Sequence, residues 1–199
     1  MFVQVIEGKA TDAQAIKAAG DDWEQQVRPV AEGFLGTTGG VAADGTAILV
    51  ARFADRAAAE ANNERPEQQA WFEAHQDMFD GEPSYLESED VEELFGGGSD
   101  DAGFVQIMQG TCTDRDAAKE FQARTEPALR AARPDLLGGM TIWHDGGRFT
   151  DVNWFTSEAD ARANEANMAE AMGEDASTFT ELFQVDRFID LAPPNLHVQ

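Results

Sequence analysis

Residues 2–8 read FVQVIEG and residues 104–110 read FVQIMQG, so one short strand is written twice, 102 positions apart in a chain of 199 residues. Self-similarity at a fixed offset constrains a fold more than any single motif, because each copy must build the same supersecondary unit. The likeness continues past the strand: Gly8, Thr11 and Asp12 answer Gly110, Thr113 and Asp114. A Thr-Asp pair ahead of an Ala-rich run signals a helix N-cap, since a side-chain oxygen can accept from the unpaired first-turn amides. The helix that follows places Ile16, Gly20, Trp23, Val27 and Val30 at helical spacing in copy one. Copy two places Ala118, Phe121, Thr125 and Leu129 likewise, with a weaker stripe.

EGFLG (32–36) and PDLLG (134–138) then break the helix and open a second strand. Asp44-Gly45 and Asp145-Gly146-Gly147 follow as hairpin signals, because tight hairpins need the positive φ that glycine supplies. The third strands are TAILVARF (46–53) and RFTDVNWF (148–155), and a second helix opens in each copy at ADRAAAEANNE (54–64) and TSEADARANEA (156–166). Last strands are expected near Ser84–Leu94 and Thr178–Leu191. Only the first helix is out of phase, since Pro29 and Pro127 stand 98 apart.

The pattern predicts an α+β chain of two ferredoxin-like β-α-β-β-α-β units. They are expected over residues 1–95 and 104–191, with a Gly/Ser/Asp linker at 96–103 and a C-terminal tail at 192–199. A sheet with both helices on one face leaves its other face bare, a large apolar patch in water. Two such sheets cover each other, so the expectation is sheet-to-sheet packing as an intramolecular dimeric α/β barrel. Fusion removes the dependence of that pairing on concentration.

This order of FVQV, amphipathic helix, GFLG, DG hairpin, strand ending in Phe and SEADA-type helix resembles the dimeric α/β-barrel superfamily, within it the antibiotic-biosynthesis-monooxygenase-like group, and covers essentially the whole chain twice. The resemblance implies a pocket between sheet and helices in each unit. It also implies oxygenation of a hydrophobic or aromatic small molecule without metal or flavin. Small oxygenases of the group carry an Asn on strand 3 and a Trp four residues on; here Phe53 and Phe155 hold the Trp position, with Leu49 and Asp151 four residues earlier. The haem-degrading branch carries a helix-2 Trp nine residues before an axial His, whereas Pro66 stands nine before His75. No cofactor is therefore expected. The departures leave a second reading open: a non-catalytic small-molecule-binding or stress-associated protein of the same fold.

Strand alternation puts Phe149, Asp151, Asn153 and Phe155 on one face in copy two, where copy one has the wholly apolar Ala47, Leu49, Ala51 and Phe53. Buried polar groups usually have partners or a role. Copy one is thus expected to be a closed core and copy two the working pocket. Asp151 and Asn153 are the candidate catalytic residues, with Gln106, Phe149, Phe155 and Trp154 as substrate-binding residues. Asp151 serves as base if burial raises its pKa, and Gln106, Asn153 or Trp154 stabilise an anionic intermediate.

Composition narrows the partners. With 38 acidic against 14 basic residues the formal charge is −24, which disfavours nucleic acid and anionic membrane surfaces. The single Cys112 permits no intramolecular disulfide, and the N-terminus reads as a strand rather than a signal peptide; both fit a cytoplasmic protein. No His/Cys/carboxylate cluster has metal-ligand spacing. The assembly expected is a monomeric pseudo-dimer or a homodimer.

Overall fold

A computed structural model of the chain describes residues 1–173 and 175–198. It divides into two compact units, the first from Met1 to Val91 together with the residues from Pro193 onward, the second from Glu92 to Ala192. The division thus falls before the Gly-rich stretch, and the C-terminal residues belong to the first unit. Among the described residues there are two five-stranded antiparallel sheets and six α-helices, the two ferredoxin-like units that the repeat demands.

The first unit contains β1 (Phe2–Lys9), α1 (Ala13–Gln26), β2 (Phe34–Val41), β3 (Thr46–Phe53), α2 (Arg56–Asn63), α3 (Pro66–Ala74) and β4 (Ser84–Ser88). Its fifth strand is β10 (Asn195–Val198), which pairs antiparallel with β2, so the sheet order is β10-β2-β3-β1-β4. The second unit contains β5 (Val91–Leu94), β6 (Phe104–Cys112), α4 (Arg115–Ala132), β7 (Leu136–Trp143), β8 (Arg148–Phe155), α5 (Glu158–Met172), α6 (Asp175–Leu182) and β9 (Phe183–Leu191), in the sheet order β5-β7-β8-β6-β9. Thr178 thus lies in a helix, and the last strand of copy two begins only at Phe183.

The repeat is kept in the registers. Phe2 lies opposite Phe53 and Gln4 opposite Ala51, as Phe104 lies opposite Phe155 and Gln106 opposite Asn153. It is kept in the caps as well: Asp12 accepts from the Gln14 amide and Asp114 from the Ala117 amide. The Thr11 and Thr113 hydroxyls donate to the carbonyls of Asp77 and Glu181, at 2.9 and 3.1 Å, which ties each first helix to the segment before its unit's last major strand. The shifted prolines also have an explanation. Copy one ends α1 at Gln26 and spends Arg28–Val30 on a 3₁₀ turn, whereas α4 continues to Ala132 with Pro127 inside it.

One glycine of the repeat is fixed by a close approach. A Cβ on Gly138 would stand 1.6 Å from the carbonyl oxygen of Gly97, so nothing larger fits where the segment after β5 passes β7. Just beyond α4, Arg133 and Asp135 form an ion pair at 2.7 Å with both side chains almost wholly buried. Arg133 also donates to the Ala161 carbonyl and lies over the Phe155 ring, joining α4, β8 and α5. No described helix is long and apolar enough to cross a membrane.

Arg133→Met leaves the Asp135 charge buried without its partner, so it is expected to destabilise the chain by about 3–5 kcal/mol in urea unfolding. A loss below about 1 kcal/mol would show that this ion pair does not hold the second unit together.

Candidate functional site

In the second unit β8 delivers its inner face to a cavity of about 140 Å³ between sheet and helices. Phe149, Asp151, Asn153 and Phe155 line it, as does Gln106 of β6. Trp154 does not. Alternation turns it to the opposite face, where it is 0% exposed and its indole N–H has no hydrogen-bond partner. It therefore cannot contact a molecule in this cavity, and its assignment as a binding residue is corrected.

Asp151 sits in a chain of polar groups. The Thr141 hydroxyl donates to its Oδ1 at 2.7 Å, and the Asn153 amide donates to its Oδ2 at 2.8 Å. Gln122 of α4 donates through Nε2 to the Thr141 oxygen at 2.9 Å, and its buried Oε1 has no partner. Burial pushes the Asp151 carboxyl above the usual carboxylate range, against the pull of the Thr141 and Asn153 donors, which favour the ionised form. Such a group holds a proton more readily than an exposed carboxyl does. Gln106 is turned to another task, donating to Asp190 Oδ1 at 3.0 Å. Aromatic side chains build the remaining wall, with Phe183 edge-on to Phe149 at 5.4 Å and stacked with Phe179 at 5.1 Å.

The first unit is not the closed core expected of an apolar strand face. It holds the larger cavity, about 600 Å³. Side-chain size differs at two matched positions. Where copy two has Phe149 and Phe121, copy one has Ala47 and Ala19, and all four line their cavities. Apolar character does not imply filled space: alanine is apolar and leaves room. Trp23, Phe34, Phe53 and Trp71 form much of the wall. Phe72 and Tyr85 line the cavity while remaining 51% and 53% exposed, which marks its mouth.

Polar side chains also line this cavity. The Trp23 indole and the Asn62 amide both donate to Gln68 Oε1, at 2.8 and 3.2 Å. The Thr37 hydroxyl and Asn62 Oδ1 are buried without partners. Glu24 accepts from Arg28 at 3.0 Å and has His197 Nδ1 3.5 Å from its Oε1, within ion-pair reach but too long for a hydrogen bond. Sequence reasoning placed His197 in a tail. It stands on β10, opposite Thr37, and lines the cavity. Thr37, Asn62 and Glu24 were missed too, although comparing Ala19 with Phe121 across the repeat would have pointed to the space they face. Among the described residues no group of three or more His, Cys, Asp or Glu side chains converges as a metal site.

No family model matches the chain, and no curated protein matches it. Solved structures do. A candidate monooxygenase from Fusobacterium nucleatum superimposes with a TM-score of 0.70 at 11% identity, covering 100% of this chain and 97% of that one. A candidate monooxygenase from Lactobacillus acidophilus gives 0.70 at 12% identity, over 100% and 96% of the two chains. An anthrone oxidase-like protein gives 0.61 at 10% identity, over 95% and 92%. The chain therefore has the ferredoxin-like fold of monooxygenase-like proteins, along its whole length and in both units. At these identities the likeness is one of fold.

The raised Asp151 pKa has a signed consequence for stability. Between the unfolded carboxyl value near 3.9 and the higher folded value, the native chain binds more protons than the unfolded chain at this group, so its contribution to stability falls as pH rises through that window. Asp151→Asn removes the effect. Relative to the variant, the parent chain should lose stability between pH 4 and its folded pKa, by at most about 1.4 kcal/mol per pH unit. Urea unfolding at several pH values reads this difference, and parallel curves would contradict the assignment.

Proposed function

We propose that the protein is a monooxygenase-class enzyme that takes a hydrophobic, ring-bearing small molecule into the cavity of its first unit. The observation that carries this reading is the cavity itself. Its volume of about 600 Å³ falls within the range of small-molecule sites, and aromatic walls meet a few polar groups there. Thr37 and Asn62 have unused hydrogen-bonding capacity, so a substrate bearing ring hydroxyls leaves fewer buried polar atoms unpaired than a pure hydrocarbon does. Oxygenation is supported by the names of the structural neighbours and by the resemblance of both repeats to that group.

A second reading has one specific observation in its favour. The β3 wall of this cavity (Ala47, Leu49, Ala51 and Phe53) has no titratable group, which suits a carrier that binds the same class of molecule without turning it over.

Hydroxylated naphthalenes are expected to bind and to drive oxygen consumption measured with an electrode. Leu49→Trp, which fills the cavity, should lower binding and uptake together by at least tenfold while the chain stays folded, at an overpacking cost of about 1–3 kcal/mol. Binding without uptake for any substrate selects the carrier. Undiminished binding in the variant overturns the location.

A further inference from the structure

We propose that the second unit holds a separate binding site for a neutral single-ring molecule carrying one hydroxyl, a phenol-like ligand, which enters the cavity beside Asp151 and donates its hydroxyl to Gln122 Oε1. This does not depend on what the first unit binds.

Size sets the first limit. An apolar cavity near 150 Å³ accepts one benzene-sized ring, and the cavity of about 140 Å³ here matches that, while the first unit's is several times larger. Shape and chemistry set the second. Phe121, Phe149, Phe155, Phe179 and Phe183 all line the space. Phe183 meets Phe149 edge-on and Phe179 face-on, the two arrangements that aromatic rings favour and that a guest ring can join.

Polarity sets the third. Gln122 lines the cavity, its Nε2 is committed to Thr141, and Thr141 is committed in turn to Asp151. The single proton of the Thr141 hydroxyl goes to Asp151, so Thr141 accepts from Gln122. With Asp151 as the acceptor, Oε1 is the unpaired end of the amide. A buried acceptor without a donor is unfavourable, and a hydrocarbon guest leaves it so, whereas a ring hydroxyl satisfies it. Asp151 gives no opening to a cationic guest, because both its oxygens already accept from protein donors.

The test uses the full chain labelled with ¹³C at its methionine methyl groups. Met108 and Met172 line the second unit's cavity and Met78 the first unit's, so the resonances report which cavity is filled. Phenol should shift Met108 and Met172, with an affinity about tenfold above that of benzene, a difference of about 1.4 kcal/mol. Gln122→Met should keep benzene binding and abolish the preference, with unchanged Met78 and Met140 resonances certifying the fold. The proposal is overturned if phenol shifts neither Met108 nor Met172, if phenol and benzene bind the parent chain equally, or if the preference survives in a folded Gln122→Met chain. The parent-chain comparison decides by itself should the variant fail to fold.

Discussion

A β-strand sends its side chains alternately to two faces, and in each unit one face of the third strand decides what stands between sheet and helices. In β3 that face is Ala47, Leu49, Ala51 and Phe53; in β8 it is Phe149, Asp151, Asn153 and Phe155. The helix opposite repeats the contrast with Ala19 against Phe121. At both positions alanine leaves space in the first unit that phenylalanine occupies in the second. The pairing of first with third strand and the Asp cap of the first helix correspond in the two copies. Duplication has kept the scaffold and changed its contents.

The polar groups follow from the same arrangement. In the second unit the carboxylate of β8 meets the threonine of β7 across the pair Thr141–Asp151 and the amide of Asn153 along its own strand. Each hydrogen bond offsets part of the cost of burying the carboxyl. In the first unit polar groups come from other elements: Glu24 on α1, Thr37 on β2 and His197 on β10. A wide chamber of mixed lining and a narrow aromatic one beside a polar chain are different binding environments. Nothing requires the two units to share a ligand.

Much of the fold was legible because its signals are local. Strand repeats, the Asp caps and the Asp-Gly hairpin are read within a few residues, and the offset of 102 joined them into two units. Pairings distant in sequence were not legible. Nothing in NLHV (195–198) says that it pairs with β2, some 160 residues earlier, so His197 was set aside as a tail residue. At the candidate site, alternation along β8 correctly grouped Phe149, Asp151, Asn153 and Phe155 on one face, and the same rule, applied strictly, excludes Trp154. Cavity size is not legible from hydrophobicity, because Ala47 is apolar without filling space.

The most direct test of this account is a crystal structure of the chain with 2-naphthol, a two-ring phenol too large for the cavity beside Asp151. The account predicts density for the ligand between β3 and α1, against Ala47 and Ala19, and none in the second unit. Density beside Asp151, or a first unit whose Ala-lined space has collapsed around no ligand, would contradict it.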